Sequence, residues 1–282
     1  MITEDIKTSM GPETFHLLSQ RLLTTRYRKT IWHNLLSGIK QFQLINENDC
    51  VAVCLSGGKD SLLLAMALKL LQERSEYPFT VKYLSLDPGY TEQHRKLLAQ
   101  NIETLGLPVH TVYADIFRNA EASSSPCHVC AAMRRGYLYK NARLMGCNKI
   151  ALGHHFDDVV ETVLMSILFA GEFKTMMPKV QSKNYEGMEL IRPLYLVKEK
   201  DIYLWLNAMG LKTLSCACSV TQSEEGGARK MIKDLLKGLS KKYPAVYSNV
   251  FASTKGVKLK TVLSYQDLDG KLVSYLSEAE DE

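Results

Sequence analysis

The chain has 282 residues, 46% of them apolar, enough for one substantial core with smaller terminal pieces, which excludes a disordered protein. Its formal net charge is +5, from 35 Lys and Arg against 30 Asp and Glu, which permits a polyanion partner without establishing one. The opening MITEDIKTSMGPE carries acids and no apolar run, and nothing approaches the roughly 18 apolar residues of a membrane span, so neither secretion nor membrane insertion is expected and the cytoplasm is.

Between residues 14 and 43 the apolar residues Phe15, Leu18, Leu22, Trp32, Leu35, Leu36 and Ile39 recur at helical spacing, with Arg21, Arg26, Arg28 and Lys29 between them. This predicts one or two amphipathic helices in a basic N-terminal segment, 1–48. Residues 50–55 are short, apolar and β-branched, and they open into a glycine turn before a helical stretch over 59–71. The order repeats with a strand over 79–86, a helix over 92–105 stopped by Gly106, and a strand over 109–113. Small, turn-prone residues over 120–126 suit a loop that delivers Cys127 and Cys130 to the start of a helix reaching Met145. A strand over 149–153 and a helix over 156–170 follow.

This alternation predicts an α/β fold, a largely parallel sheet with helices on both faces, over residues 49–215. In such sheets ligands gather at the carboxyl ends of the strands. Those ends carry residues 56–61, 87–89 and 154–158, which are therefore expected to line one mouth. Beyond Leu190 come a short strand with Pro193, a helix over 200–209, the pair Cys216 and Cys218, and a helix over 224–239. In that last helix Ile232, Leu235, Leu236 and Leu239 share one face and Lys230, Lys233, Lys237 and Lys241 the opposite one, a stripe suited to phosphates or to solvent. Residues 216–282 read as a helical C-terminal segment ending in an acidic tail.

Ser56-Gly57-Gly58-Lys59-Asp60-Ser61 follows a buried strand and opens a helix, so flexible glycines, exposed N–H donors and a helix N-terminus converge on one anion site. Lys59 adds a point charge and the serines add donors. Ser-Gly-Gly-x-Asp-Ser resembles the PP-loop signature, and the resemblance implies that Asp60 helps hold Mg²⁺, a hard cation that prefers carboxylate and phosphate oxygens. Asp87 closes the second strand at the same mouth. Gly153-His154-His155-Phe156-Asp157-Asp158 places imidazoles and carboxylates at another strand end, where they can bind Mg²⁺, orient a nucleotide or act as a base; a helix cap is the plainer alternative. Arg134, one turn beyond Cys130, can stabilise phosphates or a developing anion, with a solvated charge as the alternative.

The seven cysteines are odd in number and unevenly clustered, in a chain too large to need a disulfide framework. Cys50, Cys54 and Cys147 read as core thiols. Cys127 and Cys130 suit a shared metal or a disulfide, and the late pair could add a third thiolate, as for a structural zinc or an iron–sulfur cluster.

Ser-Gly-Gly-x-Asp-Ser is similar to the signature of the PP-loop enzymes, which split ATP between its α and β phosphates. Taken with Cys-His-Val-Cys-Ala-Ala-Met-Arg-Arg-Gly-Tyr-Leu-Tyr, then Ala-Leu-Gly-His-His-Phe-Asp-Asp and a late cysteine, the order resembles the bacterial tRNA 2-thiocytidine synthetases as far as about Ala252. The resemblance implies a PP-loop, adenine nucleotide α-hydrolase-like fold, tRNA as substrate, and ATP, Mg²⁺ and a [4Fe–4S] cluster as cofactors. It assigns the nucleotide to Ser56, Gly57, Gly58, Lys59, Asp60, Ser61, Asp87, Gly153 and His154, and catalysis to Lys59, Arg134 and Asp157. Cys127 and Cys130 become cluster ligands, with the third from the late pair. Cys218 is preferred to Cys216 because it stands nearer the segment leading into the last helix. That pair is more closely spaced here than in the family. A sulfur donor system, either a cysteine desulfurase or free sulfide, and a homodimer complete the expected partners.

Three rivals remain at this level. A lysidine-type synthetase adenylates the same kind of base but has no use for paired cysteines. A thiouridine synthetase fits the same residues. A non-catalytic metal- and RNA-binding protein would keep fold and metal, against which the intact loop at 56–61 argues.

Overall fold

A computed structural model describes residues 11–121, 123, 126–213, 227–267 and 269–276. The N-terminal periodicity becomes two helices, Pro12–Thr24 (α1) and His33–Phe42 (α2), joined through a π-helical turn at Arg28–Trp32. Pro12 opens α1 at the first-turn position where its missing N–H costs nothing. Gln43 ends α2 in the left-handed region at φ 49°. Phe15, Leu23, Ile31, Leu35 and Ile39 are buried, so both helices join the main core through one face.

Next come Cys50–Leu55 (β1), Lys59–Arg74 (α3), Thr80–Asp87 (β2), Glu92–Leu105 (α4), Val109–Tyr113 (β3), Ile116–Glu121 (α5), Pro126–Leu144 (α6), Lys149–Ala151 (β4), Phe156–Ala170 (α7), Lys179–Gln181 (β5), Glu189–Ile191 (β6) and Glu199–Met209 (α8). Among the described residues six strands form one sheet in the order β3-β2-β1-β4-β6-β5. Every neighbouring pair is parallel except β5 with β6. The expected α/β sheet is therefore present, with one antiparallel edge strand that the sequence reading lacked.

Helix α3 is apolar nearly all round, with Leu62 to Leu68 and Leu70 buried, because it is packed between β1 and other helices. On the opposite face Tyr139 and Ala142 of α6 pack with Ala52, Cys54, Leu84 and Ile150. Both faces are thus covered, as a parallel sheet requires. Among the described residues no helix is long and apolar enough to cross a membrane.

The amino ends of the strands hold a buried ion cluster. Lys149 Nζ donates to Glu189 Oε2 at 2.6 Å and to the Leu44 carbonyl at 3.0 Å, and it lies 3.1 Å from Asp49 Oδ2. Asp49 also accepts from the Asn46 N–H and from Asn148 Nδ2. Nearby, Cys50 Sγ and Cys147 Sγ are 3.3 Å apart. Burial first, and then the Cys50 contact, push the Cys147 thiol up to about 12. Burial alone takes Cys54 to about 12 against the pull of Arg134. Neither is a thiolate near neutral pH.

The chain divides into two compact units, Met1–Val159 with Met176–Gly227, and Val160–Thr175 with Ala228–Glu282. In the second, Ala228–Lys242 (α9) buries Ile232 and Leu236, and Val246–Ser253 (α10) buries Phe251. Helix α9 runs beyond the expected end at Leu239; the start expected at Glu224 lies outside the described residues. Leu235 and Leu239 remain partly exposed, so only part of the expected apolar face is covered. An antiparallel hairpin of Ser264–Gln266 (β7) and Leu272–Ser274 (β8) follows. The sequence reading had only helix there.

Candidate active site

The carboxyl end of β1 turns through Gly57, whose φ of +81° is a conformation that side-chain-bearing residues avoid. Gly58 caps α3 without a side chain, so the first N–H groups of the helix face the loop with no side-chain oxygen to accept from them. Ser61 braces the turn: its Oγ donates to the Gly58 carbonyl at 2.9 Å and accepts from the Ser56 N–H at 3.2 Å. The Ser56 Oγ is 3.3 Å away. The result is an anion cradle at a helix N-terminus.

Lys59 Nζ donates to Asp60 Oδ2 at 3.0 Å, lies 3.2 Å from Glu199 Oε1 and stands 4.8 Å from the centre of the Tyr203 ring. Burial works against this ammonium, but Asp60 and Glu199 outweigh it and hold its pKa above the ordinary lysine value. Asp60 is the reverse case. Burial raises its carboxyl, and His155 and Lys59 offset that only in part. Its Oδ1 is buried and accepts no hydrogen bond among the described residues, while His155 Nε2 lies 3.7 Å away. An under-compensated, buried carboxylate oxygen beside a phosphate cradle fits a hard divalent cation.

The segment after β4 closes over this loop. A Cβ on Gly153 would lie 3.0 Å from the Asp60 carbonyl carbon, 3.1 Å from Asp60 Cβ and 3.1 Å from the Ser61 nitrogen. Only glycine lets the two strand ends approach this closely. We expect Gly153→Ala to displace the first turn of α3 and weaken ATP binding by tenfold or more, about the effect of one overpacked methyl. Calorimetric titration with ATP checks this, and an unchanged affinity would mean that the cradle tolerates the shift.

His155 and Asp158 cap α7 reciprocally: the His155 N–H donates to Asp158 Oδ2 at 3.0 Å, and the Asp158 N–H to His155 Nδ1 at 3.4 Å. The capping alternative thus holds for these two residues. Asp157 reaches instead to α8, where its Oδ2 accepts the Glu199 N–H at 2.7 Å. Helix α8 has no side-chain cap of its own at Lys198. His154 lies between Gly153 and this capped turn. Glu161, one turn on, is buried with Arg229 Nη1 3.4 Å from its Oε2.

Asp87 serves its own loop. It accepts from the Gly89 N–H at 2.9 Å, the Tyr90 N–H at 2.7 Å and Arg95 Nε at 2.5 Å. Burial disfavours this carboxylate, yet Arg95 and the two N–H donors prevail and hold its pKa below the usual range. Arg134 is half-buried, and its guanidinium acts electrostatically on Cys54, the penultimate residue of β1. Lys82 of β2 donates to the Met145 carbonyl just past the far end of α6, so the helix runs back along the sheet and its first turns lie toward the carboxyl ends of the strands. Cys127 and Cys130 stand three residues apart at the start of that helix. Thiols are donors of the type an iron–sulfur cluster takes; Cys216 and Cys218 lie outside the described residues. Among the described residues no three His, Cys, Asp or Glu side chains gather as a metal cage.

A PP-loop domain model matches residues 31–215, more than half of the chain. The tRNA-cytidine(32) 2-sulfurtransferase of Anaeromyxobacter sp. (strain Fw109-5) is 36% identical over 230 residues, covering 80% of this chain and 75% of that one. That of Pelobacter propionicus is 33% identical over 264 residues, covering 92% and 97%. The chain belongs to the tRNA-cytidine(32) 2-sulfurtransferase family. A solved structure, the U34-tRNA thiolase NcsA from Methanococcus maripaludis with its [4Fe–4S] cluster, superposes with a TM-score of 0.62 at 21% identity, over 79% of this chain and 76% of that one. This likeness shows a shared fold.

Two residues of this sulfurtransferase-family site escaped the sequence reading. Glu199 meets Lys59 across the fold, a pairing that no local pattern announces. Arg192 follows β6 directly at the same end of the sheet. Its Nη1 donates to the Met177 carbonyl, and its Nε is buried with no hydrogen-bond partner among the described residues. Burial lowers its pKa, while Tyr195, Tyr139 and Asp158 act the other way. The signal was an arginine directly after an apolar strand, at the end where ligands gather.

Proposed function

We propose that the protein is an ATP-dependent tRNA sulfurtransferase that adenylates the C2 carbonyl oxygen of a cytidine and replaces that oxygen with sulfur. What supports the reading is the course of α6, whose first turns carry the cysteine pair and Arg134 toward the strand ends where the phosphate loop lies. Sulfur chemistry and nucleotide chemistry then share one end of the sheet.

In this reading ATP lies on the N–H groups opening α3, with Lys59 on its β and γ phosphates and Asp60 holding Mg²⁺. The cytidine carbonyl oxygen attacks the α phosphorus, the α–β bridge breaks, and pyrophosphate leaves. Arg134 stabilises the negative charge that develops on the base and phosphate. Sulfide attacks C2, and AMP departs with the original oxygen, so this step requires no net oxidation or reduction. A [4Fe–4S] cluster held by Cys127, Cys130 and Cys218 would leave one iron open as a site for sulfide. Asp157 fixes α8 through the Glu199 N–H and so orients Glu199 against Lys59. Free sulfide supplies the sulfur directly; a cysteine desulfurase supplies it once a thiol reductant has given two electrons to its persulfide and released the outer sulfur as sulfide.

The family names favour cytidine over uridine, and the cysteine pair favours thiolation over base amination. The test is turnover by protein purified without oxygen, given ATP, sulfide and unmodified tRNA, followed by nucleoside mass spectrometry and AMP assay. We expect 2-thiocytidine and AMP in equal amounts. Thiouridine, or AMP formed without sulfur entering the tRNA, would overturn the reading.

A further inference from the structure

Charge is distributed very unevenly along this chain. Residues 228–261 carry nine Lys and Arg against the single Asp234, a net +8, whereas the whole chain is only +5, so the remainder is net −3. All of this basic stretch belongs to the second compact unit. The active-site residues from the phosphate loop to Asp158, with Glu199, belong to the first. The modest total thus conceals a basic stretch, which residues 262–282, with six acids against Lys271, offset within the same unit.

Helix α9 organises the charge. Ile232 and Leu236 are buried and fix its orientation, while Lys230, Lys233, Lys237 and Lys241 recur every three or four residues along the solvent side and are all exposed. Successive members stand about one helical turn apart, roughly 5 Å of rise. Such a row can follow consecutive phosphates of one nucleic-acid strand. Lys242 extends it, and Lys255, Lys258 and Lys260, after α10, are exposed as well. A row of lysines on flexible stems reads phosphates without reading bases.

We propose that this face of α9, with the lysines after α10, anchors the tRNA backbone, while the loop at the other unit's strand ends acts on the base. The proposal rests on tRNA being the substrate and adds where the chain grips it. RNA is favoured over an anionic membrane because the proposed reaction takes tRNA as its substrate; the exposed Met231, Leu235 and Leu239 of the same helix make vesicle binding the alternative that the test separates.

The test measures binding of unmodified tRNA to the full chain across a salt series, for the wild type, for Lys230→Ala/Lys237→Ala/Lys241→Ala, and for the same three positions changed to Arg. Releasing counterions at three fewer phosphates should reduce the slope of log affinity against log salt by about 2 to 3 and weaken binding by tenfold or more at moderate salt. The Arg variant should match the wild type, and calorimetric ATP affinity should be the same in all three. Undiminished tRNA binding by the Ala variant, or a weaker affinity with an unchanged salt slope, would overturn the anchoring face alone. A wild-type chain that binds phosphatidylserine vesicles but no tRNA would overturn both this proposal and the sulfurtransferase reading.

Discussion

Cys130→Ala is expected to lose its iron and its thiolation activity together, while ATP and tRNA still bind. Cys130 is the fifth residue of α6, one turn before Arg134. If three cysteines hold the cluster, removing one leaves too few ligands, and about four irons and four acid-labile sulfides per chain should disappear along with the visible absorption. The phosphate loop lies on another element and should be untouched, so calorimetric ATP binding provides the control. Cys54→Ala provides a second. Its thiol is buried and pushed up to about 12, so that replacement should keep the iron. Iron retained by Cys130→Ala, or zinc in its place in the wild type, would remove the cluster from the mechanism and leave adenylation standing.

Lys149→Met should cost about 3–5 kcal/mol of stability, the usual result of removing one partner from a buried ion pair. The side chain of Lys149 is 3% exposed, and those of Asp49 and Glu189 are 8% and 13%. Without the ammonium, two carboxylates face each other's charge at the amino ends of β1 and β6 with little water to screen them. The melting temperature should fall by roughly 10 °C for a domain of this size. Adding Glu189→Leu should recover part of the loss, because the most closely paired carboxylate is then gone. A change within about 1 kcal/mol in chemical denaturation would show that water reaches the cluster. The site lies at the opposite ends of the strands from the phosphate loop, so ATP affinity at low temperature should hardly change.

Much of this architecture was legible because its signals are local. Helix α4 begins and ends where the sequence reading put it, since Thr91 Oγ accepts the His94 N–H at one end and Gly106 adopts φ 59° at the other. The phosphate loop was legible for the same reason: strand, glycine pair and helix start lie within a dozen residues. Strand β5 and the β7–β8 hairpin were missed because they are three-residue strands, largely exposed, without an apolar alternation to mark them. Glu199 was missed because its meaning depends on Lys59, far earlier in the chain. Asp157 illustrates the same limit. Its place at a strand end was readable, but its partner on α8 was not.

That partner matters for the thermodynamics of binding. The loop at Lys59, the turn at residues 153–158 and the first turn of α8 are tied to one another by the Gly153 approach, the Asp157 bond to the Glu199 N–H and the Glu199–Lys59 pair. Side chains held this way lose their rotamer freedom when the protein folds rather than when a nucleotide arrives. The entropic penalty of ordering the site is thus carried by the stability of the fold, and a larger share of each contact with the nucleotide is available as affinity.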